Sequence, residues 1–473
     1  MVVILSAVAP RRVGPRGRIE IGPATVPLVI LGMLVVSGVV TGRVLSETLI
    51  AGGAWRILVL FFCVAYASTS TDVTGVFDYV AYHLLLVVSG SGRRLFFGVY
   101  LLASVLTVFS SNDIVILTLT PIIFHIGVHA RIDVKPLLFA QFFGANTLSM
   151  LLLVGNPTNI IIATSLGIDF AAYLRAMWFP SLVAFAVTPL LLFLVFRRSL
   201  PQRVDLHPQA MFRIRNRLDA AISVGLLALL FAGFVTADRT GMPLWFVALL
   251  IAAAFTVEDL AFTVWYEARG RQTAHPRRAG GAGIGRRRRI APHATFGEPD
   301  PPVEPESALR SIPEVTNDLY LAHIRVPWKI LPFIIVCFVL VDLLASQGVS
   351  APVGRWLTAG DALTSVTLRT GLVGAVTANL VNNQPMSMFF ARAITEAPTA
   401  GGTTHVRAAA YAAIIASNLA ANLTLLGALA GLMWRRILAA KGLSIGYGEF
   451  LWVGIRIVPV VLVLSLLALA LVV

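Results

Sequence analysis

Apolar stretches recur along the chain from one end to the other, separated by short polar or basic segments. Each has roughly 17 residues or more, enough for a helix to cross about 30 Å of hydrocarbon. The stretches are continuous rather than alternating, which favours helices over the strands of a membrane β-barrel. The pattern predicts an all-α polytopic membrane protein with spans at 24–42, 48–68, 137–166, 175–197, 218–236, 243–263, 328–347, 405–435 and 451–473.

Composition and the placement of charge agree with a membrane protein. Of 473 residues, 57% are hydrophobic and 13% are charged, whereas soluble proteins are about half apolar and a quarter charged. The net charge of +14 comes from basic residues between the apolar stretches, as at 11–18 and 269–289. This is the positive-inside pattern of cytoplasmic loops. We therefore expect a multi-pass protein of the cell membrane with a cytoplasmic N-terminus and no nucleic-acid partner.

Motifs for cofactor or enzyme chemistry are missing from the sequence. Cys63 and Cys337 each lie in an apolar stretch without CxxC spacing, and the histidines do not cluster. The sequence has no Walker A loop, HExxH or GxSxG motif. We therefore predict no metal, no cofactor and no enzymatic activity.

The segment 264–327 interrupts the membrane pattern. It is rich in Gly, Pro and Arg, and then in acidic residues and Pro. Such a composition buries too little apolar surface to fold by itself. It predicts a flexible cytoplasmic linker between two membrane halves, either a solvated tether or an Arg-rich segment that docks on anionic lipid.

Polar clusters lie inside the apolar pattern of both halves. The sequence SSND at 110–113 separates two apolar runs, with basic residues beyond both runs. If both ends are cytoplasmic, the chain enters the membrane, turns at 110–113 and returns. Non-helical backbone at that depth requires cover from protein or water. A second polar tip is predicted at 379–385, and helix breaks are predicted at 145–160 and 417–428.

The spacing of these clusters indicates an internal duplication. Asn146 and Gly155 are nine residues apart, as are Asn418 and Gly427, and the offset between the halves is 271 or 272 throughout. Counting sides of the membrane makes the two copies inverted repeats, which is the architecture of secondary transporters. The predicted divisions are a basic segment and first transmembrane helix (1–47), repeat 1 (48–200), a linking helix pair (201–263), the linker (264–327) and repeat 2 (328–473).

Asp113 is the most informative single residue, because an ionisable group inside a membrane is costly unless it is hydrated, paired or protonated. Desolvation favours the neutral carboxyl, which suits a proton carrier. A sodium ligand and a helix cap are the alternatives. Around it we predict a substrate or ion site of Asn112, Asn146, Thr147, Asn156, Thr158, Asn159, Asn382, Asn383, Gln384, Asn418, Asn422 and Thr424, with helix breaks at Gly155, Pro157, Pro385 and Gly427.

Other acidic residues give weaker signals. Asp72 and Asp78 begin a surface segment and are expected to form a cap or an interface with the hairpin. Asp342 lies in a span, where it either pairs with an arginine or helps proton release. Glu258 and Asp259 approach the cytoplasmic end of a span, and we expect solvent around them.

Four stretches resemble the arsenite efflux permease family of the ion-transporter superfamily. They are SSNDIVILTLTPI (110–122), ANTLSMLLLVGNPTNI (145–160), ANLVNNQPMS (378–387) and NLTLLGALAGLMWRRIL (422–438). The resemblance covers most of the chain outside the linker. The tip reads NDIVI where the family typically has NDGAA.

The resemblance implies export of trivalent arsenite or antimonite driven by protons. It also implies optional docking of a separate cytoplasmic arsenite-stimulated ATPase. Arsenite is a neutral triol near neutral pH, which amides and hydroxyls can bind without a formal charge. A sodium/proton antiporter of the same superfamily is the alternative, and a dicarboxylate symporter ranks lower because Asp113 repels dianions.

Overall fold

The computed structural model describes residues 11–13, 19–21, 25–88, 90–204, 214, 216–273, 328–397 and 402–473. Within these residues the fold is helical, apart from one short antiparallel pair of strands, β1 (Arg11–Val13) and β2 (Ile19–Ile21). Residues 274–327 of the predicted linker lie outside the described residues.

The first half and the linking pair contain eleven α-helices among the described residues. They are α1 (Thr25–Val36), α2 (Gly42–Ser46), α3 (Ala54–Val73), α4 (Val76–Val87), α5 (Gly92–Phe109), α6 (Asn112–Ala130), α7 (Lys135–Leu148), α8 (Pro157–Ser165), α9 (Phe170–Phe196), α10 (Arg217–Thr240) and α11 (Leu244–Thr273). A π-helical segment at Glu47–Ala51 follows α2, and a 3₁₀ turn at Leu153–Gly155 lies between α7 and α8.

The second half contains seven α-helices among the described residues. They are α12 (Leu331–Ser346), α13 (Ser350–Thr358), α14 (Leu363–Val381), α15 (Asn383–Thr395), α16 (Gly402–Leu419), α17 (Leu429–Ala440) and α18 (Tyr447–Ala470). Short 3₁₀ turns precede α12 at Trp328–Ile330 and follow α16 at Ala420–Asn422.

Six described helices are long and apolar enough to cross a membrane: α3, α5, α9, α10, α11 and α18. The pair α12 and α13 passes the same test together, although it bends by 87°. The protein is therefore an integral membrane protein with an all-α fold, as predicted.

Three predicted boundaries were wrong. The span predicted at 24–42 ends at Val36, because a turn with Gly38 at a φ of 74° follows it. The next span begins only at Ala54, after Gly53 also takes a positive φ. Finally, α11 continues to Thr273, so that 264–273 is helix rather than linker.

The two halves repeat the same order of elements. In the first, α5 and α6 form an interrupted pair, α7 and α8 are separated by a break with a 3₁₀ turn, and the long α9 follows. In the second, α14 and α15, then α16 and α17, then α18 repeat this order. The interruptions fall where the polar clusters predict them.

Contacts between the halves are reciprocal. Helix α6 of the first half packs against α17 of the second, and α15 of the second packs against α8 of the first. The long helices α9 and α18 also pack against each other. Each half therefore holds one hairpin arm against the broken helix of the other, and this places the interruptions together.

Candidate functional site

The first hairpin is interrupted at Ser110 and Ser111, which both leave the helical conformation, and the backbone of Ser111 is extended. The Ser111 hydroxyl accepts a hydrogen bond from the Ile114 amide at 3.4 Å and so caps α6. Asn112 begins the helix, and its Nδ2 donates to Asn146 Oδ1 at 2.8 Å. The tip is thereby joined to the end of α7.

The second hairpin is interrupted at a single residue, Asn382, with φ 77° and ψ 152°. This backbone region is essentially restricted to glycine and costs about 1–3 kcal/mol for other residues. Two contacts hold Asn382 there: its Oδ1 caps the Gln384 amide at 3.3 Å, and its Nδ2 donates to the Leu426 carbonyl at 3.2 Å. Pro385 lies in the first turn of α15, where its missing N–H is tolerated.

The first broken helix depends on Gly155 and Asn156. A Cβ atom at Gly155 would overlap the Ser149 carbonyl oxygen, so only glycine fits this turn. Asn156 Oδ1 caps the Thr158 amide at 3.1 Å, and Pro157 takes the first helical position. Asn159 Nδ2 donates to the Ser149 carbonyl at 2.8 Å, which satisfies a group released by the break.

The second broken helix is held to the second hairpin. Thr424 Oγ1 donates to Asn379 Oδ1 at 2.6 Å, and Asn379 Nδ2 donates to the Ala420 carbonyl at 3.2 Å. The Asn383 amide donates to the Gly427 carbonyl at 2.9 Å. A Cβ at Gly427 would lie 2.7 Å from the Ala420 carbonyl oxygen, so this close approach also requires glycine.

Buried amides join the two repeats in one network. Asn146 Nδ2 donates to Asn422 Oδ1 at 3.1 Å. Asn156 Nδ2 donates to Asn418 Oδ1 at 2.9 Å, and Asn418 Nδ2 donates to Asn159 Oδ1 at 2.7 Å. All of these side chains are at least 98% buried. We call this set (Asn112, Asn146, Asn156, Asn159, Asn418 and Asn422) the amide network.

Hydroxyl groups complete the network. Thr158 Oγ1 and Ser417 Oγ lie 2.9 Å apart, and Ser149 Oγ donates to Asn418 Oδ1 at 2.7 Å. Asn422 Nδ2 donates to Thr147 Oγ1 at 3.4 Å. Within the described residues, none of the hydrogen bonds of this network involves Lys, Arg or His, so the region between the repeats is polar without being positively charged.

Two amide oxygens at the hairpin tips are buried and accept no hydrogen bond from the described residues. They are Asn112 Oδ1 and Gln384 Oε1. The Ser110 hydroxyl beside the first tip is buried and unbonded in the same way. Burying an oxygen of this kind costs free energy unless a water molecule or a ligand forms a hydrogen bond with it. The two tips therefore each offer a hydrogen-bond acceptor beside the amide network.

Asp113 lies in the first turn of α6 and is half-buried. Among the described residues, no hydrogen bond or ion pair is recorded for its carboxylate. The cap of α6 is Ser111, so the capping alternative for Asp113 does not apply. In the register of the duplication Asp113 corresponds to Gln384, so only one of the two tips carries an acid.

The structure thus brings every predicted site residue to the two tips and the two breaks. Sequence reasoning missed Ser149, Ser417 and Asn379, although all three lie inside the polar clusters. The spacing of Ser149 and Ser417 gives no signal, because the register of the duplication matches Ser149 with Ala420 or Ala421 and not with Ser417. The described residues contain no group of three or more His, Cys, Asp or Glu placed to hold a metal ion.

Asp72 and Asp342 hold comparable places in the two halves. Asp72, at the end of α3, accepts a hydrogen bond from Thr118 Oγ1 on the hairpin arm α6 at 3.1 Å. This is the interface expected for Asp72. Asp342 on α12 lies 3.9 Å from Arg392 on the hairpin arm α15, so it pairs with an arginine.

The expectation of solvated Glu258 and Asp259 was wrong. Their exposed fractions are only 7% and 5%. Helix α11 packs its acidic face against α3 and α10 and not toward water. An apolar span read alone does not reveal which of its faces a neighbouring helix covers.

Paired hairpins, broken helices and a buried polar network between repeats are typical of membrane transporters. Residues 3–268 match the family model described as "Citrate transporter", and residues 315–473 match the model described as "Arsenical pump membrane protein". The first of these models covers more than half of the chain, so the chain belongs to the citrate transporter family of membrane proteins. The predicted resemblance to the arsenical pump family is confirmed by these matches.

Individual relatives cover nearly the full length. The arsenical pump membrane protein of Escherichia coli (strain K12) is 27% identical over 88% of this chain and 86% of that protein. The putative arsenical pump membrane protein of Bacillus subtilis (strain 168) is 26% identical over 96% and 94%. A 46 kDa membrane protein of Mycobacterium leprae (strain TN) is 24% identical over 87% and 85%.

Proposed function

We propose that this transporter exports trivalent arsenite, and antimonite, from the cytoplasm in exchange for protons by alternating access. The observation that carries the proposal is the amide network, a buried and uncharged polar surface shared by both repeats, with one carboxylate at its edge. The names of the near full-length relatives favour an arsenical substrate.

The chemistry of the network suits a neutral triol. Arsenous acid presents three hydroxyl groups, each able to donate and accept, and amides supply both complementary functions. In the described structure the amides bond to one another, so a bound triol would replace bonds such as that of Asn146 to Asn422. Since bonds are exchanged rather than added, the affinity is modest. A pump needs modest affinity in order to release its cargo.

Asp113 supplies the coupling in this proposal. It releases its proton to the cytoplasm as arsenite is taken up there, and protonation from outside accompanies the return step. Alternating access follows if the two inverted repeats rock about the network, with the N-terminus and central linker on the cytoplasmic side. A cytoplasmic arsenite-stimulated ATPase is an optional partner of this arrangement.

Two observations bear on other substrates. At the first tip, Asn112 Oδ1 and Ser110 Oγ have no hydrogen-bond partner among the described residues. Both residues are close to Asp113 in the sequence, and such oxygen atoms would suit a sodium ion. This favours a sodium/proton antiporter as the second candidate. The citrate transporter match favours an organic anion, but the hydrogen bonds of the described amide network include none from a cationic side chain, and Asp113 repels anions.

The test uses everted membrane vesicles from cells that express the wild type, Asp113→Asn or Asp361→Asn. Asp361 is exposed, so its substitution is the matched change of acid to amide away from the site. We expect arsenite to accumulate under an imposed proton gradient with the wild type and Asp361→Asn, and not with Asp113→Asn. Sodium-driven proton movement without arsenite uptake would favour the antiporter, and citrate uptake would favour the anion carrier.

A further inference from the structure

A second buried polar region lies outside the site, where α3, α10 and α11 pack together. It contains Asp219 of α10 with Glu258 and Asp259 of α11, and we call these three residues the carboxyl cluster. Their exposed fractions are 5%, 7% and 5%. The linking helix pair is thus fastened to repeat 1 through acidic residues inside a membrane domain.

Asp259 is bound by two hydroxyl groups of α3. Tyr66 Oη donates to Asp259 Oδ2 at 2.6 Å, and Ser70 Oγ donates to Asp259 Oδ1 at 2.8 Å. Tyr66 and Ser70 are four residues apart and so lie on one face of α3. Both carboxylate oxygens therefore have a donor, which is the arrangement that stabilises the ionised form.

Glu258 is bound differently. Ser223 Oγ of α10 donates to its Oε1 at 2.9 Å, whereas its Oε2 is buried and has no hydrogen-bond partner among the described residues. The charged groups that act on Glu258 from the surrounding helices are Asp219 and Asp259, both acidic. An ionised Glu258 would be repelled by both neighbours, and its Oε2 would have no hydrogen-bond donor among the described residues.

Electrostatics therefore favours a proton on the carboxyl cluster. Burial next to acidic groups favours the neutral form of a carboxyl such as that of Glu258. In this cluster the Oε2 atom of Glu258 has no hydrogen-bond partner among the described residues, whereas both carboxylate oxygens of Asp259 accept a hydrogen bond. Ionisable residues within membrane segments mark proton relays and ion paths more often than packing roles.

Helix α3 connects the carboxyl cluster with the first hairpin. Ser70 contacts Asp259, and two residues later Asp72 accepts from Thr118 of α6. These two residues span about 3 Å along α3, and Thr118 lies about 7.5 Å along α6 from Asp113. The residues of α3 from Ser68 to Asp72 are all buried and polar. Ser70 and Asp72 point to roughly opposite sides of α3, so one buried polar turn of this helix lies between the carboxyl cluster and the arm that carries Asp113.

We propose that Glu258 is a second proton-binding site of the transport cycle, with Asp259 as its ionised partner. The Glu258 carboxylate takes a proton from water on one side of the membrane and gives it to water on the other, so charge and protons balance without another reactant. This inference rests on the proposed proton exchange and adds a residue to it that the substrate does not touch.

The decisive variants are Glu258→Gln, which cannot titrate, and Glu258→Asp, which can. Glu47→Gln is the matched control, since Glu47 is exposed and pairs only with Arg43 one turn away. Each protein would be purified and reconstituted in liposomes that contain a pH-sensitive dye. Protons and arsenite would be counted in the same vesicles during arsenite movement.

We expect the wild type and Glu47→Gln to move the same number of protons per arsenite. Glu258→Gln should lower proton-driven arsenite accumulation about tenfold or more, and Glu258→Asp should recover at least part of it. An unchanged proton count and unchanged accumulation in Glu258→Gln would overturn the inference. A wild type that moves arsenite without protons would instead overturn the proposed coupling.

Infrared difference spectra of the purified protein at two pH values test the inference without transport. The wild type should show the C=O bands of titrating carboxyls, and Glu258→Gln should lack one that Glu47→Gln and Asp113→Asn both keep. If no such band remains in Asp113→Asn, Glu258 binds no proton, whatever the vesicles show. The Asp113→Asn measurement holds even if Glu258→Gln does not fold.

Discussion

The amide network and the carboxyl cluster are both buried, polar and built from three or more helices, yet their chemistry is opposite. The network consists of neutral side chains from both repeats that bond to one another, as Asn156 and Asn159 bond to Asn418. The cluster consists of acids from the linking pair, bound by hydroxyls of one repeat. Neutral amides suit a cargo that must be released, whereas carboxyls suit a proton. In the proposed cycle, this difference separates the second proton site at Glu258 from the amides that would bind the cargo.

The largest expected effect is that of Asn418→Ala. The change would leave Asn156 Nδ2 and Asn159 Oδ1 without a partner, and each orphaned buried group costs about 1–3 kcal/mol. We expect the free energy of unfolding in detergent to fall by about 4 kcal/mol and arsenite transport to be lost. Thr236→Ala is the control, because that hydroxyl bonds only within its own helix. If Asn418→Ala is as stable and as active as the wild type, the amide network neither stabilises the fold nor binds the cargo.

Gly155→Ala tests the break rather than the network. The added methyl group would overlap the Ser149 carbonyl oxygen, and the backbone of the break would have to shift. Overpacking of this kind costs about 1–3 kcal/mol, and the shift would move Asn156 away from Asn418. Thermal unfolding and arsenite uptake should both be impaired. Gly225→Ala, where a Cβ meets no atom, should leave both unchanged.

Tyr66→Phe weakens the carboxyl cluster while leaving the amide network intact. Asp259 would keep the Ser70 bond and lose the Tyr66 bond, which is worth about 1.5 kcal/mol for a charged acceptor. We expect a fall of that size in the free energy of unfolding and fewer protons per arsenite, measured in dye-loaded liposomes. If the proton count is unchanged while stability falls, the contact is structural only.

The smallest effect is expected for Asn382→Gly. Glycine adopts the φ of 77° without strain but loses both the cap on Gln384 and the bond to the Leu426 carbonyl, so the gain and the losses offset each other within about 1 kcal/mol. Asn382→Ala loses the cap and retains the strain, and should be less stable than Asn382→Gly by about 1–2 kcal/mol. Comparison of the two melting temperatures measures the backbone strain at the tip. Equal stabilities would mean that the position is unstrained.

The repeat and the polar clusters that meet between its copies could be predicted from sequence, because residue type and spacing recur together. Asn146 and Asn418 stand at matching distances from Gly155 and Gly427, and such register does not arise from packing alone. The structure places both asparagines in one network. Serine signals are weaker, since serine also occurs in ordinary helices, and so Ser149 and Ser417 were missed.

Other features could not be read, because they depend on partners distant in the chain. Asp259 is buried against Tyr66 and Ser70 of α3, which lie 193 and 189 residues away in the chain. The first span was predicted too long because apolar residues continue past Val36 while the backbone turns at Gly38. Hydropathy reports how apolar each stretch of the chain is. It does not show which face of a helix a neighbouring helix covers, or where the backbone takes a positive φ.

The packing of each hairpin arm against the broken helix of the other half has a consequence for the leakage of ions. Because α6 rests on α17 and α15 rests on α8, loosening one tip disturbs a half-helix that belongs to the other repeat. Movement at one end of the pathway is then coupled to movement at the other end. In the proposed cycle of alternating access, a carrier built this way would resist opening to both sides at once and so would conserve the proposed proton gradient between turnovers.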